Sequence, residues 1–393
     1  MNTTPPQDVD QLAREAGEAL RRKDSGLARS LFERLVTARP ADQGAWLSLA
    51  LACRDLGDDA GQLRALDSLL VVNPVHLPAL MMKADHFARL GDGRAAQAFY
   101  KAVIAGAAQV PDLAPELRAE TRRAERESAR YGRSYEVHLR QMLSQAGFDP
   151  ATSSARFGRC LDMLLGAKQI YLQSPTAFYF PELPHRQFYE RAEFPWLAAL
   201  EARTSDIRDE LLAVARDDGA WKPYVQTDPT RPQRDYVGLL DNLGWSAFYV
   251  IQTGEVVAEA ARRCPKTMEA LASVPLTDAP GRTPSVLFSL LRPGVRIPPH
   301  TGYTNARLIC HLPLIVPDGC GLRVGNETRR WTPGEALIFD DSIEHEAWNE
   351  SDQLRVVLLF DIWRPELSAE ERKLVAATLA AVGSYGGKTT AWT

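Results

Sequence analysis

The sequence lacks an excess of charge of either sign. Its 46 Lys and Arg stand against 50 Asp and Glu, a formal net charge of -4. A general nucleic-acid binder needs a basic surface to meet phosphates, so that class is excluded. The sequence also lacks any apolar run of the roughly 18–20 residues that a spanning helix requires, so no membrane insertion is expected. Met1 to Asp10 is polar, with none of the basic start and apolar stretch of a secretory signal. A cytoplasmic location is the resulting expectation. The five cysteines, Cys53, Cys160, Cys264, Cys310 and Cys320, are scattered and form no CxxC pair. They suggest no disulfide framework, and reduced, mostly buried thiols are expected.

What is present starts with length. At 393 residues the chain exceeds what one core usually organises, so two or three domains are expected. The first third repeats itself every 34 residues: Ala16, Ala50 and Ala84 align, as do Leu12, Trp46 and Leu80, and Phe32, Leu66 and Tyr100. Asp24, Asp58 and Asp92 recur with them, Leu56-Gly57 returns as Leu90-Gly91, and Pro40 returns as Pro74. Small residues let paired helices approach closely, large ones fill the gap to the next pair, and Gly-Asp or Lys-Asp marks the turn. This pattern resembles the tetratricopeptide repeat. It predicts about three helix pairs over residues 9–106, a stack whose concave face suits a peptide or protein partner, although a spacer or dimerisation arm has the same pattern. Residues 107–168 remain helical in pattern. The interleaved charges of Glu116 to Arg130 read as a solvated helix within a connector, with a capping helix.

From about Gln169 the texture changes. Aromatic and proline residues crowd Tyr171 to Trp196, and short β-branched runs follow. Strands are expected at Gly244 to Thr253, Ser285 to Leu291, Arg307 to Val316, Gly321 to Val324, Ala336 to Phe339 and Leu354 to Ile362. Turn signals separate them at Pro293-Gly294, Pro317-Asp318-Gly319, Gly325-Asn326 and Pro333-Gly334. Helices are expected at Trp196 to Ala215 and at Ser368 to Val382, the latter stopping at Gly383. The fold class is therefore α+β and multidomain: a helical solenoid, then a sandwich, jelly roll or barrel over residues 169–393 with flanking helices.

The chemistry centres on two histidines. His300 lies in His300-Thr301-Gly302, and His345 follows 45 residues later in Asp340-Asp341-Ser342-Ile343-Glu344-His345-Glu346. Arg355 comes ten residues after His345, inside a β-rich run. Neutral imidazoles suit iron, and a basic residue beyond the second histidine suits a dicarboxylate. Arg307, Ile309 and His311 alternate on one strand and share a face.

These residues stand within a longer ordered match. It takes in Phe194-Pro195-Trp196-Leu197, Ser289 ahead of Arg292-Pro293-Gly294, Pro299-His300-Thr301-Gly302, Thr304-Asn305 and His311-Leu312. It continues through Phe339-Asp340-Asp341-Ser342, Glu344-His345-Glu346, Arg355 and Asp361-Ile362-Trp363. From about Phe178 to Arg372 the chain resembles the aspartyl/asparaginyl β-hydroxylase family, whose animal members also place tetratricopeptide-like repeats before the oxygenase domain. The resemblance implies a double-stranded β-helix and an Fe(II)- and 2-oxoglutarate-dependent dioxygenase that uses O2 and releases succinate and CO2. His300 and His345 would be the metal ligands. Arg355 and Ser289 would bind the distal carboxylate of 2-oxoglutarate, His311 would contact it near its other carboxylate, and Arg307 would meet a carboxylate of substrate or cosubstrate.

Two departures matter. Gly302 stands where the wider superfamily carries a carboxylate ligand, a feature this family shares. Water would then complete the site, with Asp340, Asp341 and Glu344 as candidates to orient it or the histidine rings. Ile309 stands where the animal hydroxylases carry a second arginine, which leaves the substrate open. The expected substrate is an Asp- or Asn-type side chain in a peptide or protein held in part by the repeats. The alternatives are a free amino acid, a lipid acyl chain, or a non-catalytic repeat scaffold.

Overall fold

The 34-residue period builds three antiparallel helix pairs. In the computed structural model, which describes residues 9–227 and 237–385, these are α1 (Val9–Arg21) with α2 (Ser25–Ala38), α3 (Gln43–Asp55) with α4 (Asp59–Val72), and α5 (Leu77–Arg89) with α6 (Gly93–Ala107). Ala16, Ala50 and Ala84 are fully buried at the crossings. Phe32, Leu66 and Tyr100 fill the spaces beside them, with at most 5 % of their surface exposed. The recurring aspartate has a specific task. Asp24, Asp58 and Asp92 cap α2, α4 and α6 by accepting from the backbone N–H three residues on. The residue just before the cap supplies the left-handed turn: Gly57 and Gly91 have φ of 72° and 77°.

A long helix, α7 (Pro115–Gln145), follows. Its charged sequence led to the expectation of a solvated connector, yet its first half packs on α6. Ala124 is fully buried there, Arg123 pairs with Asp85 at 2.7 Å, and Gln97 donates to the Ser128 carbonyl at 3.1 Å. It closes the stack much as a seventh repeat helix would, and α8 (Ala155–Leu164) ends the unit. The chain divides into two compact units, Met1–Leu165 and Gly166–Thr393. The last part of the expected oxygenase domain, residues 386–393, lies outside the described residues.

In the second unit, β1 (Phe188–Tyr189) precedes α9 (Leu197–Glu201) and α10 (Thr204–Val214). The expected single helix Trp196 to Ala215 is broken between them, where the Thr204 hydroxyl caps the Glu201 carbonyl at 2.6 Å. Then come β2 (Lys222–Pro223), β3 (Trp245–Gln252), β4 (Glu255–Val256), α11 (Ala258–Arg263) and α12 (Pro265–Leu271). Eight strands follow: β5 (Val286–Leu291), β6 (Arg296–His300), β7 (Arg307–Ile315), β8 (Cys320–Val324), β9 (Glu327–Arg329), β10 (Leu337–Phe339), β11 (His345–Asn349) and β12 (Arg355–Trp363). The closing helix α13 (Ala369–Ser384) runs through Gly383 rather than stopping there. All six expected strands are present. The sequence reading missed β6 and β11, the two strands that carry the histidines, together with the short β1, β2, β4 and β9.

The strands form two antiparallel sheets, a larger one ordered β1-β10-β7-β12-β5-β3-β2 and a smaller one ordered β6-β11-β8-β9. From β5 to β12 the chain passes back and forth between the sheets. That winding is the double-stranded β-helix. Helices α9 and α10 cover the outer face of the larger sheet, burying Leu200, Ile207 and Leu211 against Phe288, Leu312 and Phe360. The inner face packs on the smaller sheet through Leu291, Ile309 and Val357 on one side and Ile297, Leu322 and Ala347 on the other. Four of the five cysteines are buried, Cys160 is exposed, and all are free thiols. Among the described residues no helix is long and apolar enough to cross a membrane.

Removing a repeat aspartate tests the capping role. Asp58→Ala is expected to lower the urea-unfolding free energy by about 1 kcal/mol, the usual contribution of an N-cap. Circular dichroism at 222 nm of the full chain reads that loss. No change in the unfolding profile would leave the Asp58 contact without energetic weight.

Candidate active site

The inner faces of the two sheets enclose a cavity of about 310 Å³. Alternation along the strands decides what enters it. From β7 it receives Arg307, Ile309 and His311; from β12, Arg355, Leu359 and Asp361; just before and within β5, Ser285, Leu287 and Ser289. His300 and His345 line it from the smaller sheet. All six candidate site residues named from the sequence, His300, His345, Ser289, Arg355, His311 and Arg307, therefore share one cavity.

His300 ends β6 and His345 begins β11, and the two are direct cross-strand partners. Their ring centroids are 4.1 Å apart with 50° between the planes. Each Nδ1 is engaged by a backbone carbonyl two residues earlier, Pro298 at 2.8 Å and Ile343 at 3.1 Å. Each Nδ1–H therefore donates to the main chain, and each Nε2 lone pair is left for the cavity. Burial lowers the imidazole of His345 well below its ordinary value and lowers that of His300 in the same direction, so both are neutral donors. Among the described residues no group of three or more His, Cys, Asp or Glu side chains is arranged to hold a metal ion, so the pair stands as two donors.

The other end of the cavity is cationic. Arg355 is 1 % exposed, and among the described residues no carboxylate pairs with it. Its guanidinium donates to the Ser289 carbonyl at 3.3 Å and lies 5.0 Å from the Trp331 ring. Burial pulls its guanidinium down to about 10. A buried, unpaired charge is costly, and proteins keep one where an anion is to be received. Ser289 sits on the neighbouring strand, and its hydroxyl accepts from the Trp245 indole at 3.3 Å. His311 is buried, its Nδ1 has no partner, and burial together with Arg355 pushes it down to about 3. It is a neutral imidazole holding an unused hydrogen-bonding atom near the cation.

Arg307 is placed differently. On β12 its cross-strand partner is Trp363, the end opposite Arg355. It pairs with Asp361 at 2.9 Å and Asp341 at 3.1 Å and lies over the Tyr303 ring. Burial opposes its charge, but Tyr303, Asp341 and Asp361 outweigh burial and raise it.

Three acidic residues before His345 were candidates to orient water or the rings, and they separate in space. Asp340 is fully buried and turned to Arg364 at 2.8 Å. Glu344 pairs with Arg323 outside the cavity at 2.9 Å. Only Asp341 lines the cavity. A Cβ added at Gly302 would lie 2.1 Å from Asp341 Oδ2, so the Asp341 carboxylate occupies the room that a side chain at 302 would need. Gly302 N–H also donates to the Asp341 carbonyl at 2.6 Å. Burial pushes the Asp341 carboxyl up to about 6 against the pull of Arg307, and its Oδ1 is left without a partner. The sequence reading did not single out Trp245, Tyr224 or Thr176, which also line the cavity; Trp245 stacks on Tyr224 at 4.0 Å. Nothing in the local sequence marks them.

Residues 201–365 match the family aspartyl/asparaginyl beta-hydroxylase, which bears out the resemblance read from the motifs. The human aspartyl/asparaginyl beta-hydroxylase is 37% identical over 180 residues, 46% of this chain and 22% of that protein. The human aspartate beta-hydroxylase domain-containing protein 2 is 32% identical over 206 residues, 51% of this chain and 54% of that one. The ornithine lipid ester-linked acyl 2-hydroxylase of Rhizobium tropici is 36% identical over 190 residues, 47% of this chain and 63% of that one. The match thus spans from about a fifth to three fifths of these relatives. Among solved structures, the Yersinia enterocolitica secretion chaperone SycD with a peptide of YopD is similar at a TM-score of 0.30 and 13% identity, covering 34% of this chain and 99% of that one.

The packing under Gly302 gives a specific expectation. Gly302→Ala must displace the Asp341 carboxylate from Arg307, and overpacking of this kind costs about 1–3 kcal/mol. Adding Asp341→Gly should recover part of the loss, a coupling that thermal unfolding of the four proteins of a double-mutant cycle reads directly. Additive losses would mean that the two positions do not compete for the same space.

Proposed function

We propose that this chain is an Fe(II)- and 2-oxoglutarate-dependent dioxygenase that hydroxylates an unactivated C–H bond. The observation that carries the reading is the buried Arg355, left without an acidic partner and facing the cavity that the two histidines share. A five-carbon dicarboxylate supplies the missing charge.

The residues fit these groups. His300 and His345 would hold the metal through Nε2, since both Nδ1 atoms are committed to carbonyls. Arg355 would take the distal carboxylate of 2-oxoglutarate through its guanidinium fork, with the Ser289 hydroxyl beside it. The Trp245 indole N–H already occupies one Ser289 lone pair, which leaves the hydroxyl proton free to donate. His311 would donate to the cosubstrate from its unused nitrogen. Arg307, at the far end of the wall and already held by two carboxylates, is better suited to the substrate side. The metal centre supplies oxygen activation coupled to cosubstrate decarboxylation, with succinate and CO2 released. The chain's own part is to exclude water and hold both partners still. Asp341 Oδ1, unpartnered and beside Gly302, would accept from a water completing the metal's coordination.

For substrate we favour an Asp- or Asn-type side chain of a peptide or protein, with the repeats as a second contact. The observation favouring another substrate is Ile309, an apolar residue on the cavity wall, together with a relative named as an acyl hydroxylase at comparable identity. A free amino acid or a lipid acyl chain is therefore the second reading. The orphaned atoms of Arg355, His311 and Asp341 argue against a non-catalytic scaffold, because buried polar groups without a ligand only cost stability.

Anaerobic titration with Fe(II) and 2-oxoglutarate should produce a visible charge-transfer band that is absent in His300→Ala and His345→Ala. Arg355→Met should weaken 2-oxoglutarate binding by roughly 100-fold, about what a lost charge-assisted pair is worth, yet raise the melting temperature of the ligand-free protein. Unchanged cosubstrate affinity in that variant sinks the assignment. Peptides, free amino acids and lipids assayed with the full chain for a hydroxylated product then separate the substrate readings.

A further inference from the structure

The two histidines form the last rung of the β6–β11 ladder, and the pairing shifts register immediately beside them, between His345 and Ala347. Past this rung both chains leave the sheet, at Thr301 on one side and Glu344 on the other. The end of a ladder next to an irregularity opens more easily than its middle. One backbone bond ties the two turns directly, Gly302 N–H to the Asp341 carbonyl at 2.6 Å, and an element outside the sheet ties them further.

That element is the extended segment 173–180, which lies before the residues matched by the hydroxylase family. It is laid along both turns. Ser174 N–H donates to the Ser342 carbonyl at 2.8 Å, and Gln173 bridges Ile343, on the turn before His345. Thr176 N–H donates to the Gly302 carbonyl at 2.9 Å, and Ala177 and Phe178 both donate to the Tyr303 carbonyl, on the turn after His300. Phe180 N–H donates to Asn305 Oδ1 at 2.7 Å. Thr176 itself reaches the cavity wall.

One side chain closes the arrangement. Gln173 Nε2 donates to Asp340 Oδ2 at 2.7 Å, while Gln173 Oε1 accepts from Asn305 Nδ2 at 3.1 Å. Asp340 lies five residues before His345, and Asn305 five residues after His300. Arg364 completes a ring, donating to Asp340 Oδ2 at 2.8 Å and to the Asn305 carbonyl at 3.1 Å. Asn305, Asp340 and Arg364 are fully buried, whereas Gln173 is half-buried at the rim, so it can be replaced without opening the core.

We infer that Gln173 is a positioning residue for the metal site: the strap it anchors splints the two histidine turns and sets the spacing of their Nε2 atoms. This rests on the reading of His300 and His345 as metal ligands. Gln173 touches neither histidine, so its effect passes through the turns, and outer residues that orient ligands typically change metal affinity by about 10–100-fold.

The test is metal binding by the full chain, measured with Co(II) as the probe, by equilibrium dialysis and by its visible spectrum. Gln173→Met keeps the volume and removes the side-chain hydrogen bonds to Asp340, Asn305 and the Pro184 carbonyl, and Gln173→Ala is the second variant. Glu210→Gln serves as the control for lost stability. Glu210 caps α12 through the N–H groups of Lys266 and Thr267, far from the cavity lining. The Gln173 variants should bind Co(II) about tenfold more weakly, with faster amide exchange at both 301–305 and 340–344. Glu210→Gln should melt earlier yet bind Co(II) as the wild type does. Wild-type Co(II) affinity in both Gln173 variants overturns the inference, with or without faster exchange. Wild-type protein that binds Co(II) no better than His300→Ala defeats the metal-site reading itself, and this inference with it.

Discussion

The second unit depends on one buried ion pair. Arg364 and Asp340 are both fully excluded from solvent and lie 2.8 Å apart. Each has further obligations. Arg364 also donates to the carbonyls of Asn305 and Pro184 and to the Tyr189 hydroxyl, and Asp340 also accepts from Gln173 and from Ser342 at its backbone and hydroxyl. Such a pair contributes little net stability, since desolvation offsets most of its attraction, but losing either partner strands the other at a cost of about 3–5 kcal/mol. Its consequence is geometric. The chain after β12, the strap before β1 and the turn before β11 are fixed to one another at a single point near the histidine pair.

Around the cavity the balance runs the other way. Arg355 has no acid, His311 has an unused nitrogen, and Asp341 has an unpartnered oxygen. None of these improves the folded state; each is tolerated because the large sheet is held elsewhere. Phe288, Leu312, Leu358 and Phe360 are completely buried between that sheet and the helices on its outer face. Apolar burial on one face thus carries the unsatisfied polar groups on the other, a common relation between scaffold and site.

Much of this was legible in the sequence, and the failures have physical reasons. The repeat was readable because its period places an alanine at every crossing and an aspartate at every cap. The larger sheet was readable because its strands are buried on both faces and consist of β-branched and apolar residues, as in Val286 to Leu291. The histidine strands were not. Arg296 to His300 contains Pro298 and Pro299, which argue against a strand from sequence alone. His345 to Asn349 interrupts the apolar pattern because Glu346 on its outer face belongs to an ionic ladder. In that ladder Arg296, Glu346 and Arg323 pair across β6, β11 and β8. The candidate residues were found through the motif pattern, and their placement came only from the fold. Asp341 was named with its neighbours, but nothing local distinguishes it from Asp340, which points the opposite way into the buried pair.

The position of Asp341 also reframes the missing carboxylate. Glycine at 302 reads in the sequence as a ligand lost. In space, the volume beside Gly302 already holds a carboxylate, delivered from the turn before β11 and tied by its backbone to the same glycine. A side chain at 302 and the Asp341 carboxylate cannot occupy that volume together. The cavity therefore retains an acid next to the histidine pair, but set back and shared with Arg307. If the histidine pair holds a metal as proposed, Asp341 would act on it only from outside, and the pair would be its two side-chain ligands. Under that reading, the assembled site would depend more heavily on the dicarboxylate proposed to pair with Arg355.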